Sequence, residues 1–305
     1  MATSSPPLDI GALKRLRILC VSETGWFDTA TVFDDIRAAG GAHTDQYAIP
    51  WPPFGPLHAD NAAGFSALLE AETIDGSTRR LLFDTGWNPD WMDRRFAEEG
   101  IDRLLQERKI EALGVSHEHF DHFWGIGSTL KHCPEIPIYL PAGFHSAGLA
   151  FIQQQGHTGS VITVPSEQPL LLFPGLALTS FPMSTLLQVQ GENVLYANLQ
   201  DRGLTMITGC GHGGVLNLLD YARRTLSGGE HIHAIYGGPA RLAARRLGQP
   251  ARLDRQGAER LWNRPHSLQP LHRPYGRRED AGQRLAGRAG KRPQRIADRF
   301  VPGQR

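Results

Sequence analysis

The chain has 305 residues, 40% hydrophobic, 21% charged, with a net charge of +1. That is enough for a sizeable buried core, and no apolar run nears the ~18 residues of a membrane span. The three cysteines, Cys20, Cys133 and Cys210, are too few and odd in number for a disulfide framework, and together with a start that lacks a basic, then apolar, leader they point to a reducing, cytoplasmic setting.

Residues 1–15 are polar and proline-containing and are expected to be loose. Residues 17–21 (Arg-Ile-Leu-Cys-Val) read as a first strand, followed by a loop that includes Trp51-Pro52-Pro53-Phe54-Gly55-Pro56, where proline forbids regular structure. Residues 65–72 and 80–83 read as a strand pair turning at Asp75-Gly76. Helical spacing over 91–107 makes Trp91, Phe96 and Leu104 core candidates. Residues 110–115 form a buried strand, 123–131 a helix, and 136–140 a further strand. Short strands follow at 161–164, 170–173, 176–181, 194–198 and 204–208, then a helix over 215–226 and a strand at 232–236. There is no internal repeat. Mixed strands and interspersed helices predict an α/β fold with two sheets and helices outside.

Between the strand at 110–115 and the next helix stands Ser116-His117-Glu118-His119-Phe120-Asp121-His122. Imidazole and carboxylate are ligand types that suit zinc, iron or manganese. In an extended backbone, positions 117 and 119 send their imidazoles the same way. The adjacent Asp121 and His122 can then serve a second ion, while Glu118 and Phe120 point away. A solvated His-rich loop is the bland alternative.

This run resembles the signature of the metallo-β-lactamase superfamily of binuclear metal hydrolases. Leu81-Leu82-Phe83-Asp84-Thr85-Gly86 resembles the superfamily's upstream strand, and Ile207-Thr208-Gly209-Cys210-Gly211-His212-Gly213-Gly214 resembles a motif of one branch. That branch includes dihydropterin-linked ribofuranosylaminobenzene phosphate synthases and many hydrolases of unassigned substrate. The resemblance implies an αββα sandwich over 16–238 and two divalent metal ions, zinc by preference, with manganese or iron as alternatives. It implies that His117 and His119 bind the first ion, and Asp121 and His122 the second. His212 is the candidate for a further ligand of the first ion, unless it merely lines a glycine-rich turn. Asp84 would orient a ligand imidazole, or serve only as a turn residue. Asp121 has a second role open to it, accepting a proton from bridging water. Cys210 reads as a small buried residue in preference to a sulfur ligand. His157, in Gly-His-Thr-Gly, reads as a loop residue.

The implied activity is hydrolysis of a small ester, lactone or phosphate-containing molecule. A synthase activity and a metal-poor binding protein are the alternatives. The partner is a small-molecule substrate. Residues 1–240 carry a net charge of −11, which argues against a nucleic-acid groove in that body, whereas 241–305 carry +12.

Tyr236-Gly237-Gly238-Pro239-Ala240-Arg241 lacks the histidine that the branch's Gly-Gly-x-His segment supplies to the second ion. Gly-Gly-Pro-Ala-Arg can be encoded so that loss of one base reads Gly-Gly-Leu-His-Val. The same offset turns 265–272 into a sequence containing His-Cys, also familiar near the branch's end. A frameshift is therefore expected, leaving 239–305 a basic, poorly ordered tail and the fold incomplete. A natural basic tail that binds nucleic acid or an acidic partner is the alternative.

Overall fold

A computed structural model describes residues 6–23, 29–49 and 64–237. The Trp/Pro-rich segment 51–56 and the tail 239–305 lie outside the described residues. Strand β1 (Leu13–Ser22) pairs antiparallel with β2 (Ser66–Thr73), which forms a hairpin with β3 (Thr78–Phe83). Helix α1 (Thr29–Ala38) lies between β1 and β2 in the chain. Strands β4 (Ala112–Gly114), β5 (Ile138–Leu140) and β6 (Val161–Thr163) continue the sheet in parallel from β3.

A second set of strands follows: β7 (Leu170–Phe173), β8 (Leu176–Pro182), β9 (Gly191–Leu199) and β10 (Gly203–Thr208), antiparallel in that order, and β11 (Ile232–Gly237), parallel to β10. The two sets meet in the ladder through one pair, Leu13 with Leu199.

Alternation of side chains along the strands builds the layers. Leu69, Leu81 and Phe83 of the first set pack with Leu176, Leu178, Leu195 and Ile207 of the second, forming the seam between two sheets. Their neighbours Leu68 and Leu82 face the opposite way, against Met92, Phe96, Ile101 and Leu105. These belong to helices α2 (Pro89–Glu99) and α3 (Ile101–Gln106). Val194 and Tyr196 likewise face Leu218, Leu219 and Ala222 of α7 (Val215–Thr225). The result is helix, sheet, sheet, helix, as expected.

Three details depart from the sequence reading. The helix over 91–107 is two helices, because Gly100 adopts φ +69 and ends α2; glycine enters that region without a Cβ clash. Residues 6–15 are not loose. Leu8 bridges to Leu226, Ile10 is buried, and β1 already begins at Leu13. A few apolar side chains in a polar stretch suffice to pin it. Helices α1 and α6 (Ser146–Gln154) fall where no helix was expected. Among the described residues no helix is long and apolar enough to cross a membrane.

Candidate metal centre

The site forms where the carboxyl ends of β3, β4 and β10 meet the start of β9. Asp84 follows β3 with φ +62, a region open to Asp at modest cost. Its backbone N–H donates to Gly114 O at 2.8 Å, and its carboxylate accepts from Ser116 N at 2.5 Å and Ser116 Oγ at 2.6 Å. The next residues lock the segment. Thr85 N donates to His122 O at 2.8 Å, and Gly125 N to Gly86 O at 3.0 Å. A Cβ on Gly125 would meet Thr85 O at 2.1 Å, so only glycine permits this approach.

His119 is the N-cap of a single helical turn, α4 (Phe120–Phe123), which places Asp121 and His122 on helical backbone. The expected helix over 123–131 thus starts three residues early, then restarts as α5 (Ile126–Leu130). Gln46 clamps this turn from outside, accepting from Phe120 N at 3.0 Å and donating to Glu118 O. Glu118 points away from the histidines, as expected, and accepts from Tyr47 Oη at 2.7 Å and His145 N at 2.9 Å.

Each imidazole of the first loop has an acceptor that decides its tautomer. His119 Nε2 lies 2.8 Å from the Leu186 carbonyl oxygen, which can only accept. His122 Nδ1 lies 2.7 Å from Asp84 Oδ2. His117 Nδ1 lies 2.8 Å from Ser116 Oγ, whose own hydrogen is directed to Asp84. With these nitrogens as donors, His117 Nε2, His119 Nδ1 and His122 Nε2 are left with inward lone pairs.

Those lone pairs converge with the second loop. His117 Nε2 is 2.9 Å from His119 Nδ1 and 3.3 Å from His212 Nε2. His122 Nε2 is 3.2 Å from Cys210 Sγ and 3.6 Å from Asp121 Oδ2. Two groups, His117–His119–His212 and His117–His122–Cys210, each have their candidate ligand atoms within 4.8 Å of one another. With their far-side nitrogens donating, His117 Nε2 and His119 Nδ1 face one another with no hydrogen to share. A cation satisfies such a donor set, so the residues fit divalent metal.

Electrostatics agree for the first group. Burial, then the neighbouring histidines, hold His117 well below the ordinary imidazole pKa. Burial lowers His119 also, and takes His212 down to about 2. These rings are neutral and ready to donate lone pairs. His122 differs: burial opposes its charge, but Cys210, Asp121 and Asp84 hold it well above the ordinary value. A proton and a metal ion thus compete for its Nε2. Burial raises the Cys210 thiol and the Asp84 carboxyl.

All the sequence candidates His117, His119, Asp121, His122 and His212 come together, with Asp84 behind them. Cys210, for which a small buried residue was preferred to a sulfur ligand, aims its sulfur at His122, because Gly209 lets its loop touch the first one: a Cβ there would meet Ser116 Oγ at 2.2 Å. His157 lies apart, bonded to Ile136 O at 2.8 Å. Sequence reasoning missed Glu192. This buried carboxylate accepts from Thr208 Oγ1, Cys210 N and Gly211 N at 2.9, 3.2 and 2.7 Å, and from Gly213 N at 3.4 Å. Its Gly-Glu-Asn setting looks like a polar strand edge, with no signal of burial.

An αββα sandwich with histidine, aspartate and cysteine gathered at its strand ends has the architecture of the metallohydrolase fold type and carries a candidate metal site. The chain belongs to the metallo-beta-lactamase superfamily, whose family model matches residues 64–228. It is 24% identical over 233 residues to the 7,8-dihydropterin-6-methyl-4-(beta-D-ribofuranosyl)-aminobenzene-5'-phosphate synthase of Methanocaldococcus jannaschii, covering 64% of this chain and 74% of that one. A hydroxyacylglutathione hydrolase of Pectobacterium carotovorum is 32% identical over 76 residues, which is 25% of this chain and 30% of that relative. Among solved structures, Zn(2+)-bound PqqB from Methylobacterium extorquens is similar with a TM-score of 0.41 at 11% identity, over 73% of this chain and 72% of that one.

Proposed function

We propose that the chain is a metal-dependent hydrolase holding two divalent ions, zinc by preference, and acting on a small ester, lactone or phosphate-containing compound. The observation that carries this reading is the convergence of ring nitrogens of His117, His119 and His122, each ring held from its far side by an oxygen of Ser116, Leu186 or Asp84. His117, His119 and His212 would hold one ion. Asp121, His122 and Cys210 would contribute to the other.

Bound metal of this kind lowers the pKa of its water toward neutrality and polarises the oxygen under attack. The chain's own residues do the rest. Asp84 and Ser116 fix the orientation of His122 and His117. The Asp121 carboxylate, buried beside His122, is the acceptor for the proton released from the attacking water. No serine nucleophile is required.

The synthase reading has one specific support, the similarity to the Methanocaldococcus jannaschii protein over most of that chain. An assay with a dihydropterin diphosphate and an aminobenzene riboside phosphate separates the two. Product in that assay, with no turnover of a panel of aryl esters, lactones and phosphomonoesters, would replace the hydrolase reading. A metal-poor binding protein is separated by metal content.

The same reading treats the carboxy-terminal change at Gly238-Pro239-Ala240 as a shift of frame that removed a histidine from the second metal site. The support is the restoration of Gly-Gly-Leu-His by a one-base deletion, together with the abrupt rise in arginine beyond residue 240.

A further inference from the structure

Two adjacent residues at the start of β9 hold the two loops of the site. Asn193 holds the first loop: its backbone N–H donates to Ser116 O at 2.6 Å, and its side-chain amide donates to Val115 O at 2.9 Å. Glu192 holds the second. Its Oε1 accepts from Thr208 Oγ1, Cys210 N and Gly211 N, and its Oε2 lies 3.4 Å from Gly213 N. Successive strand residues point to opposite faces, so one dipeptide reaches both loops.

We propose that Glu192 is a positioning residue of the metal centre, its carboxylate setting the loop 209–213 so that Cys210 and His212 each reach their own group of ligands. The loop needs such a template. Gly211 and Gly214 stand at φ +67 and +85, backbone that no side chain of their own stabilises. Between them lies His212, and the loop closes with a Gly214 N to Gly211 O bond of 2.9 Å. A buried carboxylate is costly unless donors surround it. Here the backbone N–H groups of Cys210, Gly211 and Gly213 and the Thr208 hydroxyl do so, and all belong to the stretch 208–213. The carboxylate and the loop therefore order one another. Donor atoms of both metal groups move together if that contact is lost.

A glutamine keeps the size but not the chemistry. Its carbonyl oxygen still accepts, while its NH2 group confronts the Gly213 N–H. The alternative is that Glu192 only satisfies buried amides and contributes stability alone.

The test rests on the metal-centre reading and is built to fail separately from it. The full chain is stripped of metal and titrated with cobalt(II), recording affinity and the visible spectrum, which reports ligand geometry. Glu192→Gln is expected to lose at least about tenfold in cobalt affinity with an altered spectrum, the range seen when groups behind metal ligands are changed. Asn198→Ala, on the same strand, removes a half-buried contact to Gly11 O far from the loops and serves as the stability control. It is expected to lower the melting temperature and leave cobalt binding unchanged. Unchanged affinity and spectrum in Glu192→Gln overturn the proposal, as does an equal loss in Asn198→Ala. If Glu192→Gln does not fold, Thr208→Val decides. It removes one donor to the same carboxylate; a weaker affinity with a shifted spectrum supports the role, and wild-type behaviour overturns it. A wild-type chain that takes up no cobalt sinks the metal-centre reading itself, and this one with it.

Discussion

His212 and His157 make opposite use of the same chemistry. His212 Nε2 faces His117 across 3.3 Å, whereas His157 Nε2 is spent on the Ile136 carbonyl. His212→Ala should therefore weaken metal binding strongly, and His157→Ala should leave it near wild type. Titration of metal-free variants with zinc checks this, and the reverse order would show that the wrong histidine has been chosen. The strand-turn-helix setting of His212 marked it in the sequence as a ligand candidate, and the Gly-His-Thr-Gly setting of His157 marked it as a loop residue. The direction of Cys210 had no such mark. It depends on contact between Gly209 and Ser116, residues 93 positions apart, which no local pattern reveals. Glu192 was hidden for the same reason: its partners lie on the neighbouring strand and the turn beyond it.

At the scale of elements, the approach of the two loops depends on the missing side chain at 209. Gly209→Ala would put a Cβ 2.2 Å from Ser116 Oγ and 3.1 Å from His122 Nδ1. Forcing the loops apart should cost about 1–3 kcal/mol of stability and loosen the metal donors together. Thermal unfolding with and without zinc measures both; a variant as stable and as tightly metallated as wild type would show that the loops tolerate separation. The amino-terminal segment offers a second check. Ile10 is buried against the α7 side of the sandwich with Leu226, and Gly175 N donates to Ile10 O at 2.6 Å. Ile10→Ala should cost about 2–4 kcal/mol, as for other buried aliphatic truncations. Chemical denaturation that finds no loss would return this segment to the loose terminus its composition suggested. The strand pair read at 65–72 and 80–83 was legible because two apolar-rich segments flank the turn signal Asp75-Gly76, and the hairpin forms there. The break at Gly100 was not, since the apolar spacing of 91–107 continues through it.

For the whole molecule, the sandwich followed from element order and the layers from alternation, while the pairing of strands across the sequence required the fold. The carboxy-terminal reading stays at the level of sequence. Restoring Gly-Gly-Leu-His by a one-base deletion should raise occupancy of the second ion, soluble yield and activity together. Full occupancy by two ions in the chain as it stands would contradict the frameshift. If His117 and His119 anchor a metal ion, elemental analysis of purified full-length protein will show it. The prediction is about one tightly held transition-metal ion per chain, with fractional occupancy of a second, and loss of the tight ion in His117→Ala and His119→Ala while the circular dichroism spectrum is retained. Wild-type protein that stays free of metal after zinc supplementation, or variants that keep the wild-type stoichiometry, would contradict it.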